Sequence, residues 1–177
     1  MLRGFRLSAA ALVAFVSCLL WVHEAHAFER QWHLGGGAGV AFPPGGYSLG
    51  PALGAHAAYG ISDVFDLRLE LVGARHAKSG EPSANVFSGA FGIAYKLDVI
   101  EWVPYFGVLA GYQLVRPEPD PSGDLPGNSP SVGLIGGLDY GFSRSFGLGV
   151  CYRQDLLLSG GATSGLLLLR AEYRWGW

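Results

Sequence analysis

The 177-residue chain is half apolar, carries charge on only 15% of its residues, has 28 glycines and a formal charge of −2. So much glycine argues against long helices, because each interior glycine costs about 1 kcal/mol relative to alanine. The near-neutral balance offers no basic surface for a phosphate backbone, which excludes nucleic-acid binding.

Residues 1–27 read as a cleavable signal-peptide helix. Arg3 and Arg6 form a positive start, Leu7 to Val22 is uncharged and apolar, and Ala25-His26-Ala27 places small residues ahead of Phe28. The apolar run is shorter than the roughly 20 residues of a spanning helix, which favours a leader over an anchor. Cys18 lies inside this leader, and Phe15-Val16-Ser17 before it is a poor lipoprotein box. The domain that follows, 28–177, keeps Cys151 as its single cysteine and has no internal disulfide. A closed, fully hydrogen-bonded barrel is another source of stability.

From Gln31 to Ser62 there is no Asp, Glu, Lys or Arg, but there are nine glycines and Pro43, Pro44 and Pro51. The period is two rather than 3.6, which predicts strands. Trp32, Leu34, Ala38, Val40 and Phe42 fall on one face, with His33, Gly35, Gly37, Gly39 and Ala41 on the other. Around 49–61, Leu53, Ala55, Ala57 and Tyr59 oppose Ala52, Gly54 and His56. Phe65, Leu67, Leu69 and Leu71 oppose Asp66, Arg68 and Glu70, and Phe87, Phe91, Ile93 and Tyr95 oppose Ser88, Ala90, Gly92 and Lys96. Phe106, Val108, Tyr112 and Leu114 oppose Tyr105, Gly107, Gly111 and Gln113. Val132, Leu134, Leu138 and Tyr140 oppose Ser131, Gly133, Gly137 and Asp139. Phe146, Leu148, Val150 and Tyr152 oppose Gly147, Gly149, Cys151 and Arg153, and Leu167, Leu169, Ala171, Tyr173, Trp175 and Trp177 oppose Arg170, Glu172 and Arg174. That makes eight strands.

The joins alternate. Ser62-Asp63, Val99 to Trp102 and Ser143 to Ser145 are short, whereas Pro43–Ser48, Ala77–Ala84, Pro117–Pro130 and Ser159–Gly165 are longer and rich in Gly, Pro and Ser. Short turns at one end and longer loops at the other fit a transmembrane barrel. Alternation alone is symmetric, and a soluble barrel would turn the aromatic face inward. Eight strands enclose only enough space for side chains to fill. The Gly, Ala and Ser face with its few charges therefore belongs inside, and the bulky face outside. The fold expected is an all-β, eight-stranded, antiparallel up-and-down transmembrane β-barrel.

Three stretches carry a family resemblance: Tyr59 to Leu67, Val103 to Tyr112, and the C-terminal Tyr173-Arg174-Trp175-Gly176-Trp177. In these the chain resembles the small eight-stranded outer-membrane β-barrels, similar to the barrel domain of outer membrane protein A. The resemblance implies export to the outer membrane of a Gram-negative-type cell and contact with outer-membrane lipid. It also implies recognition of Tyr173, Trp175 and Trp177 by the barrel-assembly machinery during insertion, with Trp at the last position where the family has Phe. No peptidoglycan-binding domain follows the barrel in this chain, so anchoring of that kind is not expected.

The inward face carries Asp66, Arg68, Glu70, Lys96, Asp139, Arg153, Asp155, Arg170, Glu172 and Arg174. Unpaired charges in a narrow lumen are costly, so mutual pairing into a stiffening plug is expected. The expected function is structural or surface-interacting, with no catalytic residues, metal site or cofactor. The alternatives are a narrow, porin-like pore for small ions and a lipid-modifying enzyme. The enzyme would draw on His76, Ser79 and Glu81, whose spacing matches no dependable catalytic motif. Inward His33, His56 and His76 lack the matched spacing of a metal site. The Pro117–Pro130 join, with Glu118, Asp120 and Asp124, is the place for an extracellular partner of unknown identity.

Overall fold

The computed structural model describes residues 30–44, 47–78, 81–97, 101–116 and 127–176. The expected leader, the acidic positions 118, 120 and 124, and Trp177 lie outside the described residues. The chain forms β1 (Trp32–Phe42), β2 (Gly50–Gly60), β3 (Phe65–Lys78), β4 (Glu81–Lys96), β5 (Trp102–Arg116), β6 (Ser129–Gly141), β7 (Phe146–Leu157) and β8 (Thr163–Trp175). Each strand pairs antiparallel with its sequence neighbours, and β1 pairs with β8 to close the barrel. Closure leaves no strand edge exposed.

The two-residue alternation decides the faces, because successive side chains of a strand point to opposite sides. Inside lie small or medium residues, among them Ala52, Ala90, Ala94, Leu109, Ile135, Leu166 and Leu168. Outside, the large apolar side chains stand in the open, with Leu169 72% and Leu53 69% exposed. The barrel is thus inverted relative to a soluble one.

Two of the connections between strands share one construction. At Ile61–Val64 the backbone N–H of Ile61 donates to the carbonyl of Phe65 (2.9 Å), and the Ser62 hydroxyl accepts from the Phe65 N–H (3.1 Å). At Phe142–Ser145, Phe142 donates to Phe146 (3.1 Å), and the Ser143 hydroxyl accepts from the Phe146 N–H (3.1 Å). A serine hydroxyl satisfying a nearby backbone N–H is the local chemistry that favours serine in turns.

One connection differs from expectation. The join read as Ala77–Ala84 contracts to 79–80, because β3 and β4 continue pairing to Lys78 opposite Glu81. A register shift between His76 and Lys78 admits the extra residue. A bulge of this kind lets the ladder run through a stretch where strict alternation fails.

An aromatic belt circles the barrel at the turn end. Trp32 packs on Tyr59 (4.8 Å between ring centroids) and on Trp175 (6.4 Å), which stacks on Tyr173 (5.8 Å), which meets Phe146 (5.0 Å). Phe65, Tyr95 and Phe106 form a second run at 5.3 Å spacings, and Trp102, Tyr140 and Phe142 a third. Every strand contributes a member.

Candidate functional site

The lumen is organised around its charges. All ten expected residues are buried: Asp66, Arg68, Glu70, Lys96, Asp139, Arg153, Asp155, Arg170, Glu172 and Arg174. Five are cations and five are carboxylates, so the set is neutral. Eight of them occupy the half of the barrel nearest the turns, while Arg153 and Asp155 form a separate pair farther up β7.

On β3, Arg68 lies between the carboxylates of Asp66 (3.5 Å) and Glu70 (3.6 Å), and Lys96 of β4 reaches Asp66 at 3.4 Å. On β8, Arg170 meets Asp139 of β6 in a two-point contact (Nε–Oδ1 3.0 Å, Nη2–Oδ2 2.5 Å). Such a fork adds geometric definition to charge attraction. Glu172 gathers the most partners: Arg174 donates at 2.7 Å, His33 of β1 lies at 2.9 Å, His56 of β2 at 3.1 Å and Arg170 at 3.8 Å. Arg153 donates to Asp155 (Nε–Oδ1 2.9 Å).

The β3 and β8 charge triplets are brought together by a residue that charge counting overlooks. Tyr105 of β5 is 3% exposed, and its ring lies 4.3 Å from the Arg68 guanidinium and 4.6 Å from that of Arg170. Each contact is a cation–π attraction, strongest where water is excluded. Two arginines that would otherwise only repel share one ring. The signal available beforehand was a single aromatic residue on an inward face otherwise made of Val103, Gly107, Leu109, Gly111, Gln113 and Val115.

Glycines opposite these side chains supply the room. A Cβ at Gly137 would overlap the Tyr105 hydroxyl, one at Gly149 would overlap the Asp139 carboxylate, and one at Gly35 would overlap the His56 ring. The inner glycines therefore serve as sockets for the network as well as fitting a narrow barrel.

The histidines do not converge. His33 and His56 both bind Glu172, whereas His76 sits at the far end of β3, where its Nδ1–H donates to the Ser48 carbonyl (3.2 Å). Among the described residues no group of three or more His, Cys, Asp and Glu is placed to hold a metal. Ser79, and the Glu81 side chain, lie outside what the structure describes. Cys151 is a buried free thiol. Of the C-terminal aromatics, Tyr173 and Trp175 point outward into the aromatic belt, and Trp177 is outside the described residues.

Comparison with known proteins adds the fold. No family model matches the chain, and no curated protein matches it in sequence. Solved structures do match. The outer membrane protein OprG of Pseudomonas aeruginosa superposes with a TM-score of 0.63 at 10% identity, covering 84% of this chain and 97% of that one. Neisserial surface protein A gives 0.58 at 19% identity, over 83% and 96%. Ail, the attachment invasion locus protein of Yersinia pestis, gives 0.55 at 15% identity, over 83% and 99%. The chain has the fold of the small eight-stranded outer-membrane barrels.

Proposed function

We propose that the chain is an integral outer-membrane β-barrel with a structural or surface-interacting role. In this reading its turns face the periplasm, its loops face outward, and paired charges close its lumen. The observation that carries the reading is the outer wall, an apolar band bounded at the turn end by a belt of Trp, Tyr and Phe from all eight strands. Aromatic girdles of this kind sit at the boundary between hydrocarbon and water. An 11-residue strand such as β1, rising about 3.3 Å per residue and tilted about 45°, crosses roughly 25 Å, the height of such a band. Residues 1–27 would direct export, and Tyr173, Trp175 and Trp177 would mark the chain for the assembly machinery.

The lumen favours a plug over a pore. Its ten charges are balanced and paired, and the Arg68–Tyr105–Arg170 stack spans from β3 through β5 to β8. Balanced charges held in ion pairs stiffen a barrel without offering a vacant path for ions. A heat-modifiability gel on the outer-membrane fraction tests the assignment. The expected result is a band in that fraction that changes mobility on boiling. Protein confined to the soluble periplasm, with no mobility change, would overturn it.

A further inference from the structure

Two parallel rows of side chains cross the outer face of β3, β4 and β5. At the turn end Phe65, Tyr95 and Phe106 stand opposite one another, and at the loop end Arg75, Asn85 and Arg116 do. Both arginines are exposed. We propose that the loop-end row binds a lipid whose phosphate carries net negative charge, with one acyl chain lying against the wall below it. The site rests on the outer-membrane reading.

Height is the first argument. Arg75, Asn85 and Arg116 lie ten residues along their strands from Phe65, Tyr95 and Phe106 respectively. At about 3.3 Å per residue and a tilt of about 45°, the two rows are roughly 23 Å apart, close to the ~25 Å of an outer-membrane hydrocarbon band. With the aromatic row at one boundary, the polar row falls at the other, the level of lipid headgroups. Neighbouring strands are about 4.8 Å apart, so the two arginines stand roughly 10 Å from each other across Asn85, and both reach a single phosphate. Arg116 is held in place, its Nη1 donating to the Val115 carbonyl (2.8 Å) and to Asn128 Oδ1 (3.2 Å). Its Nε and Nη2, and the whole Arg75 guanidinium, make no hydrogen bond or ion pair among the described residues. The planar fork of arginine matches phosphate oxygens.

The wall below the row is the second argument. Leu53, Gly73, Phe87 and Leu114 form the next outward row, and Gly89 stands beside Tyr112 in the row after that. With glycine at two of these positions, a recess of about 650 Å³ opens between Leu53, Phe87, Tyr112 and Leu114. These rows lie about 7 and 13 Å along the strand from the arginines. The first methylenes of an acyl chain occupy that space when its headgroup is held at Arg75 and Arg116. A cationic row directly above an apolar recess selects an acyl lipid with an anionic head over either a free anion or a neutral lipid.

For the test, the isotope-labelled protein is refolded into phosphatidylcholine nanodiscs, with folding established by its mobility before and after boiling. NMR then follows the addition of dioleoyl phosphatidic acid, dioleoylglycerol or inorganic phosphate. Phosphatidic acid should give saturable shifts at the Asn85 side-chain amide and the Gly73 and Gly89 backbone amides, and the other two should leave these signals unmoved at the same concentration. Arg75→Gln combined with Arg116→Gln should weaken binding at least about 10-fold, the loss expected for one charge-assisted hydrogen bond. Arg144→Gln, in the exposed turn between β6 and β7, should leave binding unchanged. Gly73→Leu should weaken it about 4-fold, the worth of one methylene displaced from the recess. A Cβ at Gly73 meets Phe87 at an ordinary 3.5 Å, so the fold tolerates that change. Equal shifts with dioleoylglycerol or inorganic phosphate, shifts spread evenly around the barrel, an equal effect of Arg144→Gln, or full affinity in the double arginine variant or in Gly73→Leu would each overturn the site and leave the barrel assignment intact. A protein that does not enter the nanodiscs would overturn the outer-membrane reading and the site together.

Discussion

Removing the charge of Glu172 tests whether the lumen network holds the barrel or merely occupies it. Glu172→Gln keeps the shape of the side chain but leaves five buried cations facing four carboxylates. Arg174 is the group most affected, since Glu172, at 2.7 Å, is its single ion-pair partner among the described residues; Arg170 keeps Asp139. At 2.7 Å and an effective dielectric of about 20, the gross attraction is about 6 kcal/mol. Desolvation of both groups offsets part of this, and breaking a buried pair on one side costs about 3–5 kcal/mol. With a urea slope of about 2 kcal/mol per molar, the midpoint should fall by roughly 2 M. The assay is equilibrium unfolding in lipid vesicles, followed by tryptophan fluorescence. Adding Arg174→Met should restore much of the loss, because the abandoned cation is then gone. A Glu172→Gln midpoint within about 0.5 M of the parent, or no recovery in the double variant, would refute the reasoning.

Other substitutions probe separate parts of the molecule. Tyr105→Phe should be nearly neutral, since the ring is what the two arginines contact, whereas Tyr105→Leu should cost about 1–3 kcal/mol in the same unfolding assay. Gly149→Ala should destabilise by about 1–3 kcal/mol, because its Cβ would take the place of the Asp139 carboxylate and push that side chain off Arg170. Leu169→Arg places a charge on the most exposed large apolar position and should cost about 2–4 kcal/mol in vesicles; a change under 0.5 kcal/mol would contradict a lipid-facing wall. In a planar bilayer the parent protein should pass no steady current, and a reproducible ohmic conductance would show the plug to be incomplete.

The faces of the strands were legible because the rule is local. A period of two assigns Leu53 outward and His56 inward from their neighbours alone, and side-chain bulk then tells wall from lumen. What the lumen residues do to one another was not legible. His33 and His56 reach Glu172 across the closure of the barrel, over separations of 139 and 116 residues. The meeting of Arg68 with Arg170 at Tyr105 depends on the stagger of eight registers. No window of sequence holds that information. The β3–β4 join was misjudged for a related reason: Pro82 reads as punctuation, yet β4 runs through it from Glu81, paired with Lys78 across an irregular register.

The closure of β1 on β8 sets the order in which the chain must assemble. Seven of the eight strand pairings join consecutive strands, and such hairpins form early because little loop entropy opposes them. The eighth unites the two extremities of the sheet and comes last. Glycine makes up four of the eleven residues of β1, so that strand brings few apolar contacts of its own to the seam. What secures it is a clasp on each side of the wall: His33 on Glu172 within, and Trp32 stacked on Trp175 without. Contacts made only when the ring shuts contribute nothing to the barrier for folding and their full strength to the barrier for opening. The two clasps therefore act on the lifetime of the closed ring.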